Sequence, residues 1–148
     1  VDFALTHDDG QSTWDLHQAD VVLVGVSRTS KTPTCLYLAN RAYKAANIPY
    51  VPHCPLPPEI GQLTRPLFVG LTKDPDQLVE VRRNRMRMLN QGESTDYVDP
   101  ESVRAEVLEA RRFYNSHGWP VIDVSRRAVE ETAAEIVSLL VRRQQGRS

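Results

Sequence analysis

An unbroken apolar run, Val21-Val22-Leu23-Val24, passes directly into Gly25-Val26-Ser27-Arg28-Thr29-Ser30-Lys31-Thr32 and then into a segment whose apolar residues recur at helical spacing. Four apolar residues with no polar side chain among them predict a strand buried on both faces, as in a parallel sheet. The glycine and the small polar residues that follow predict a tight loop leading to a helix N-terminus. In the pattern G-x-x-x-x-G-K-[ST], backbone N–H groups and the helix dipole hold phosphate oxygens, the Lys reaches the terminal phosphate and the Ser/Thr hydroxyl reaches Mg²⁺. Here Ser30 replaces the second glycine. The whole stretch from Gly25 to Thr32 is therefore the candidate phosphate site, with Lys31 as its charge and Thr32 as its metal ligand. An ordinary strand-to-helix turn is the plain alternative.

The remaining chain alternates strand and helix signals. Thr32 to Ala46 predicts a helix, with Pro33 in its first turn, Leu36, Ala39, Tyr43 and Ala46 at helical spacing and Asn47 as its stop. Ile48 to Val51 reads as a second strand, and the proline-rich Pro52 to Pro66 as an extended connection. Leu67 to Leu71 is a third strand. Asp74-Pro75 then starts a helix to about Leu89 with Leu78, Val81, Arg85, Met88 and Leu89 on one face. Arg82, Arg83, Arg85 and Arg87 crowd this helix. Charge runs on helices are commonly solvated, yet Arg82 and Arg85 are spaced so that both can face one anionic ligand, as lid arginines of phosphoryl-transfer enzymes do. After a polar loop from Gln91 to Asp99, a helix from Pro100 to Ser116 buries Val103, Val107, Ala110 and Tyr114 and ends at Gly118. Trp119 to Val124 is the last strand, and Ser125 opens a final helix through Val129, Ala133, Ile136, Val137 and Leu140. Asp123 could be a metal carboxylate, but plain closing structure explains it as well. These alternations predict one three-layer α/β domain over residues 1–148, a P-loop kinase-like fold with a mostly parallel sheet of about four or five strands.

Composition narrows the function classes. At 148 residues and 41% hydrophobic, the chain can bury a single sizeable core, and a net charge of −1 argues against a general nucleic-acid binder. Lys31, Lys44 and Lys73 are its only lysines, so the other basic residues are arginines. Cys35 and Cys54 have neither metal-ligand spacing nor a disulfide framework, which fits a reduced, cytoplasmic protein. No apolar run reaches the roughly 20 residues of a membrane span. The chain opens on Val1 without Met, which suggests an excised domain.

The loop Val22 to Thr34, with Leu36-Tyr37-Leu38-Ala39-Asn40, Tyr43 to Pro49, Phe3 to Gly10, Gly118 to Val124 and Glu130 to Ala134, resembles the bifunctional regulatory proteins of pyruvate, phosphate dikinase and phosphoenolpyruvate synthase. The likeness covers nearly the whole chain. Two departures are Ser30, where some members carry Gly, and the absence of the first half of a typical family chain. The resemblance implies ADP-dependent phosphorylation of a threonine in the dikinase or the synthase, with Mg²⁺, and phosphate-dependent removal of that group with release of pyrophosphate. It also implies that Asp8 or Asp9, otherwise turn residues in His7-Asp8-Asp9-Gly10, handles the hydroxyl proton or outer-shell Mg²⁺. Arg28, Arg82 and Arg85 join Lys31 as candidate catalytic residues, closing over the β-phosphate. A homodimer is compatible with this picture. Two other classes stay open: a small-molecule kinase of the adenylate or shikimate type, and a non-catalytic nucleotide-binding module that docks a partner.

Overall fold

The computed structural model describes residues 16–52, 54, 56, 60, 63–89 and 97–146. Four strands, β1 (Val21–Gly25), β2 (Ala45–Pro49), β3 (Leu67–Thr72) and β4 (Val121–Asp123), form one sheet in the order β2-β1-β3-β4, and every pairing is parallel. Four helices accompany them: α1 (Lys31–Asn40), α2 (Pro75–Met88), α3 (Pro100–Ser116) and α4 (Val129–Gly146). Side chains alternate across a strand, so β1 feeds two cores. Val22 and Val24 join Leu78, Val79, Val103, Val107 and Tyr114 from α2 and α3. Val21 and Leu23 join Leu38, Ala133, Ile136 and Leu140 from α1 and α4. The result is the three-layer α/β arrangement that the sequence predicts, with β1 fully buried at its centre.

Local chemistry accounts for the element boundaries. Asp74 and Asp99 each precede a proline and accept a hydrogen bond from the backbone N–H three residues on, Gln77 at 3.1 Å and Ser102 at 3.0 Å. These caps satisfy donors that a helix start leaves open. Gly118 turns the chain after α3 with a φ of 68°, and α3 buries Val103, Val107, Ala110 and Tyr114 as its spacing predicts.

Three expectations need correction. The first helix stops at Asn40, and residues 45 and 46 belong to β2. The Tyr43 N–H reaches the Leu38 carbonyl at 3.1 Å and the Ala42 N–H reaches that of Ala39 at 3.0 Å, closing the helix in a Schellman turn with Ala42 left-handed at φ 71°. Ala45 and Ala46 are small enough to be buried in the sheet, and Asn47, read as a helix stop, is a fully buried strand residue whose amide meets the Cys35 sulfur at 3.8 Å. Helix propensity lost here to two-sided burial.

The buried face of α2 is also rotated from the predicted one. Leu78, Val79, Arg82 and Met86 point inward, whereas Met88 and Leu89 are exposed. Finally, α4 begins at Val129, because Ser125 is occupied otherwise: it binds the Asp123 carboxylate through both its N–H and its hydroxyl, and its oxygen accepts from the Asp74 N–H.

Two substitutions test these packing statements in opposite directions. A Cβ on Gly70 would lie 2.3 to 2.7 Å from the Tyr114 ring, so Gly70→Ala should cost about 1–3 kcal/mol by overpacking, measured as a lower urea midpoint. Ala42→Gly should raise that midpoint, because relief of a left-handed alanine is worth more than the added freedom of the unfolded chain, leaving about 0.5–1 kcal/mol.

Candidate phosphate-binding site

The loop after β1 sits at the carboxyl end of the sheet, where β1 is flanked by β2 and β3. From β1 the chain moves to β2 on one side and later to β3 on the other. In open α/β sheets ligands bind in the crevice at such a reversal. A cleft of about 730 Å³ lies there, lined by Ser27 through Pro33 with Pro49, Lys73 and Val81.

The backbone of the loop is bent to make this cleft. Arg28 and Ser30 both have left-handed backbone, at φ 71° and 65°. Alternation of right- and left-handed residues makes a concave nest of N–H groups suited to anions. Ser30 precedes α1 as its cap residue, yet its hydroxyl makes no capping bond. Gly25 is required for a different reason: a Cβ there would lie 2.5 Å from the Thr29 hydroxyl oxygen and 3.4 Å from Leu71. Thr29, fully buried, donates to the Val26 carbonyl at 2.8 Å and cross-braces the turn.

Lys31 is buried, and its ammonium donates to the same Val26 carbonyl at 3.1 Å. Its side chain is thus folded back along the loop, with the charge held at the cleft. Thr32 and the exposed Arg28 also line the cleft. A single hydroxyl such as that of Thr32 suits Mg²⁺, which keeps most of its waters and takes its other ligands from substrate phosphates. Of the candidates from Gly25 to Thr32, Ser27 through Thr32 line the cleft, while Gly25 ends β1 and Val26 supplies the carbonyl to which Thr29 and Lys31 donate.

The arginines of α2 do not act as the pair that their spacing suggests. Arg85 is exposed, whereas Arg82 is fully buried and spans the space between α2, α3 and the loop. Its guanidinium forms a two-pronged pair with Glu106, at 2.5 and 3.3 Å, and donates to the carbonyls of Ser27 at 3.2 Å and Tyr97 at 3.1 Å. The Tyr97 ring lies 4.5 Å from its central carbon, and the Tyr97 and Ser27 hydroxyls are 2.7 Å apart. The two arginines thus do not cover one ligand together. Tyr97, Glu106 and Lys73 had no role in the sequence reading. A usable signal existed for two of the partners: Arg82 and Glu106 fall on or beside the buried stripes of neighbouring helices and carry opposite charges. Asp8 and Asp9 lie outside the described residues.

Asp123 ends β4, two strands from β1, and does not line the phosphate cleft. It borders a second cleft of about 430 Å³ with Lys73, Arg104 and Arg111. Partial burial by itself would raise its carboxyl, but the Ser125 hydroxyl and N–H, helped by Arg111 and Arg127, bring the pKa below the ordinary value. A carboxyl with a lowered folded-state pKa contributes stability that is complete above the unfolded value and disappears as pH falls through the folded one. Asp123→Asn should therefore lower the thermal midpoint at pH 7, and the gap to the parent should close as pH drops below about 4. A constant gap across that range would assign the loss to geometry alone.

Residues 1–137 match the family described as Kinase/pyrophosphorylase. Among curated relatives, a pyruvate, phosphate dikinase regulatory protein of Caulobacter vibrioides is 56% identical over 140 residues, covering 95% of this chain and 44% of the relative. Proteins of the same name from Paramagnetospirillum magneticum and Rhizorhabdus wittichii are 56% and 55% identical, covering 96% and 95% of this chain and 46% and 51% of their own lengths. The chain spans about half the length of the curated relatives it matches. A match over residues 1–137 places the chain in the kinase/pyrophosphorylase family.

Proposed function

We propose that the chain is the nucleotide-handling domain of a bifunctional regulator of pyruvate, phosphate dikinase, or of phosphoenolpyruvate synthase. In one direction a threonine hydroxyl of the target takes the β-phosphoryl group of ADP and AMP leaves. In the other, inorganic phosphate takes that group from the phosphothreonine and pyrophosphate leaves. The observation that carries this proposal is the loop from Gly25 to Thr32, bent at Arg28 and Ser30 around a cleft into which Lys31 brings its charge. The names of the relatives supply the target, and the resemblance of the loop supplies the donor.

In this proposal the loop N–H groups and Lys31 hold the two phosphates of ADP, and Thr32 contributes its hydroxyl to Mg²⁺. Bound Mg²⁺ would neutralise charge that develops on the phosphoryl oxygens. Arg28, exposed in the cleft lining, would cover the transferring group, with Arg85, exposed one helical turn beyond the cleft-lining Val81, as the second cation, and Asp8 or Asp9 would manage the proton of the acceptor hydroxyl. Lys73, at the end of β3, adds a cation to the cleft wall. Among the described residues no helix is long and apolar enough to cross a membrane, and Cys35 and Cys54 are free thiols.

Supplying the chain with dikinase and ATP-free ADP, with myokinase inhibited, should give phosphothreonine and AMP in equal amounts. Lys31→Ala should reduce that rate by about a hundredfold or more while circular dichroism stays unchanged, since a charge on the transferring group is worth several kcal/mol. Faster labelling from ATP, with ADP accumulating, would overturn the donor assignment.

A further inference from the structure

We infer, building on the phosphate-binding function proposed above, that Arg82, Glu106 and Tyr97 are positioning residues that fix the shape of the phosphate loop from behind. Arg82 is too deeply buried to cover a ligand, yet it contacts the loop at Ser27. A buried guanidinium needs a counter-charge and acceptors for its N–H groups. Glu106 on α3 supplies the charge in two-pronged geometry, and the carbonyls of Ser27 and Tyr97 accept further bonds. One cation thereby ties together α2, α3, the residue that follows the 90–96 segment, and the loop.

Tyr97 closes the circuit. Its ring lies against the guanidinium and its hydroxyl meets that of Ser27 at 2.7 Å. Ser27 is therefore held twice, by its carbonyl and by its side chain, immediately before the left-handed Arg28. A loop that stores left-handed backbone at Arg28 and Ser30 needs surrounding structure to hold it there. The brace supplies that support at one end, and the Thr29 and Lys31 bonds to the Val26 carbonyl supply it within the turn. Because the contact is made through backbone and second-layer side chains, the brace can set loop geometry without touching nucleotide.

Two measurements on the whole chain test the brace. In the ligand-free protein, the NMR order parameters of the Val26–Ser30 amides should fall from about 0.85 toward about 0.6 in Arg82→Lys and in Glu106→Gln, while the Val21–Val24 amides stay near about 0.85. Unchanged loop order parameters in these variants would overturn the inference, as would an equal fall over all of β1, which would mean general destabilisation. The second measurement is calorimetric binding of ADP to Ser27→Ala, to Tyr97→Phe and to the double variant. Each single change should weaken binding by roughly five- to tenfold, and the double change should be no worse than either, because both remove the same bond. Additive losses would overturn the coupling through Tyr97. Absence of ADP binding to the parent chain would remove the proposed nucleotide function, with the order-parameter measurement still deciding whether the brace shapes the loop.

Discussion

A strand with no polar side chain on either face has to be covered on both, and the fold follows from that demand on β1. Its alternate residues call for a layer of helices above and another below. Its two edges are filled by β2 and β3, each in parallel register. A parallel neighbour requires a crossover, which the intervening helix and the long connection provide. Once β1 is central, whatever follows Gly25 must emerge at the middle of the carboxyl edge of the sheet. The site is where it is because the strand before it is the most buried element of the chain.

This explains why so much of the architecture was legible in the residues. Val21 to Val24, the Asp-Pro helix starts and the stripe Val103, Val107, Ala110 and Tyr114 each carry a local signal that agrees with the tertiary outcome. The failures lie where tertiary context opposes the local signal. Ala45 and Ala46 are strong helix formers that the sheet recruits because they are small. Ala42 carries no mark of the left-handed turn it makes, since glycine is the usual occupant. The rotation of α2 was misjudged because Arg82 was assigned to a ligand, whereas a partner on another helix holds it inside.

The same reasoning separates the two parts of the site. The Gly25–Thr32 loop is contiguous in sequence, so its residues announce themselves together. The support behind it is assembled from positions 27, 82, 97 and 106, on separate elements, and only the fold brings them into contact. An isolated buried charge is costly, and pairing with hydrogen bonds offsets much of that cost. Arg82 and Glu106 thus depend on each other for their place inside, and neither alone identifies itself as belonging to a site.

The strand order also governs how the chain must fold. Leu67 of β3 pairs with Val21, and the edge strand β4 pairs with β3 across the crossover that α2 and α3 make. Non-local parallel pairing of this kind slows folding, because loop closure has to be met before the contacts stabilise it. During synthesis the run Val21 to Val24 leaves the ribosome well before its second neighbour exists. For that interval the stickiest segment of the protein has an open edge. Until β3 is made, that edge can pair with another chain as readily as with its own.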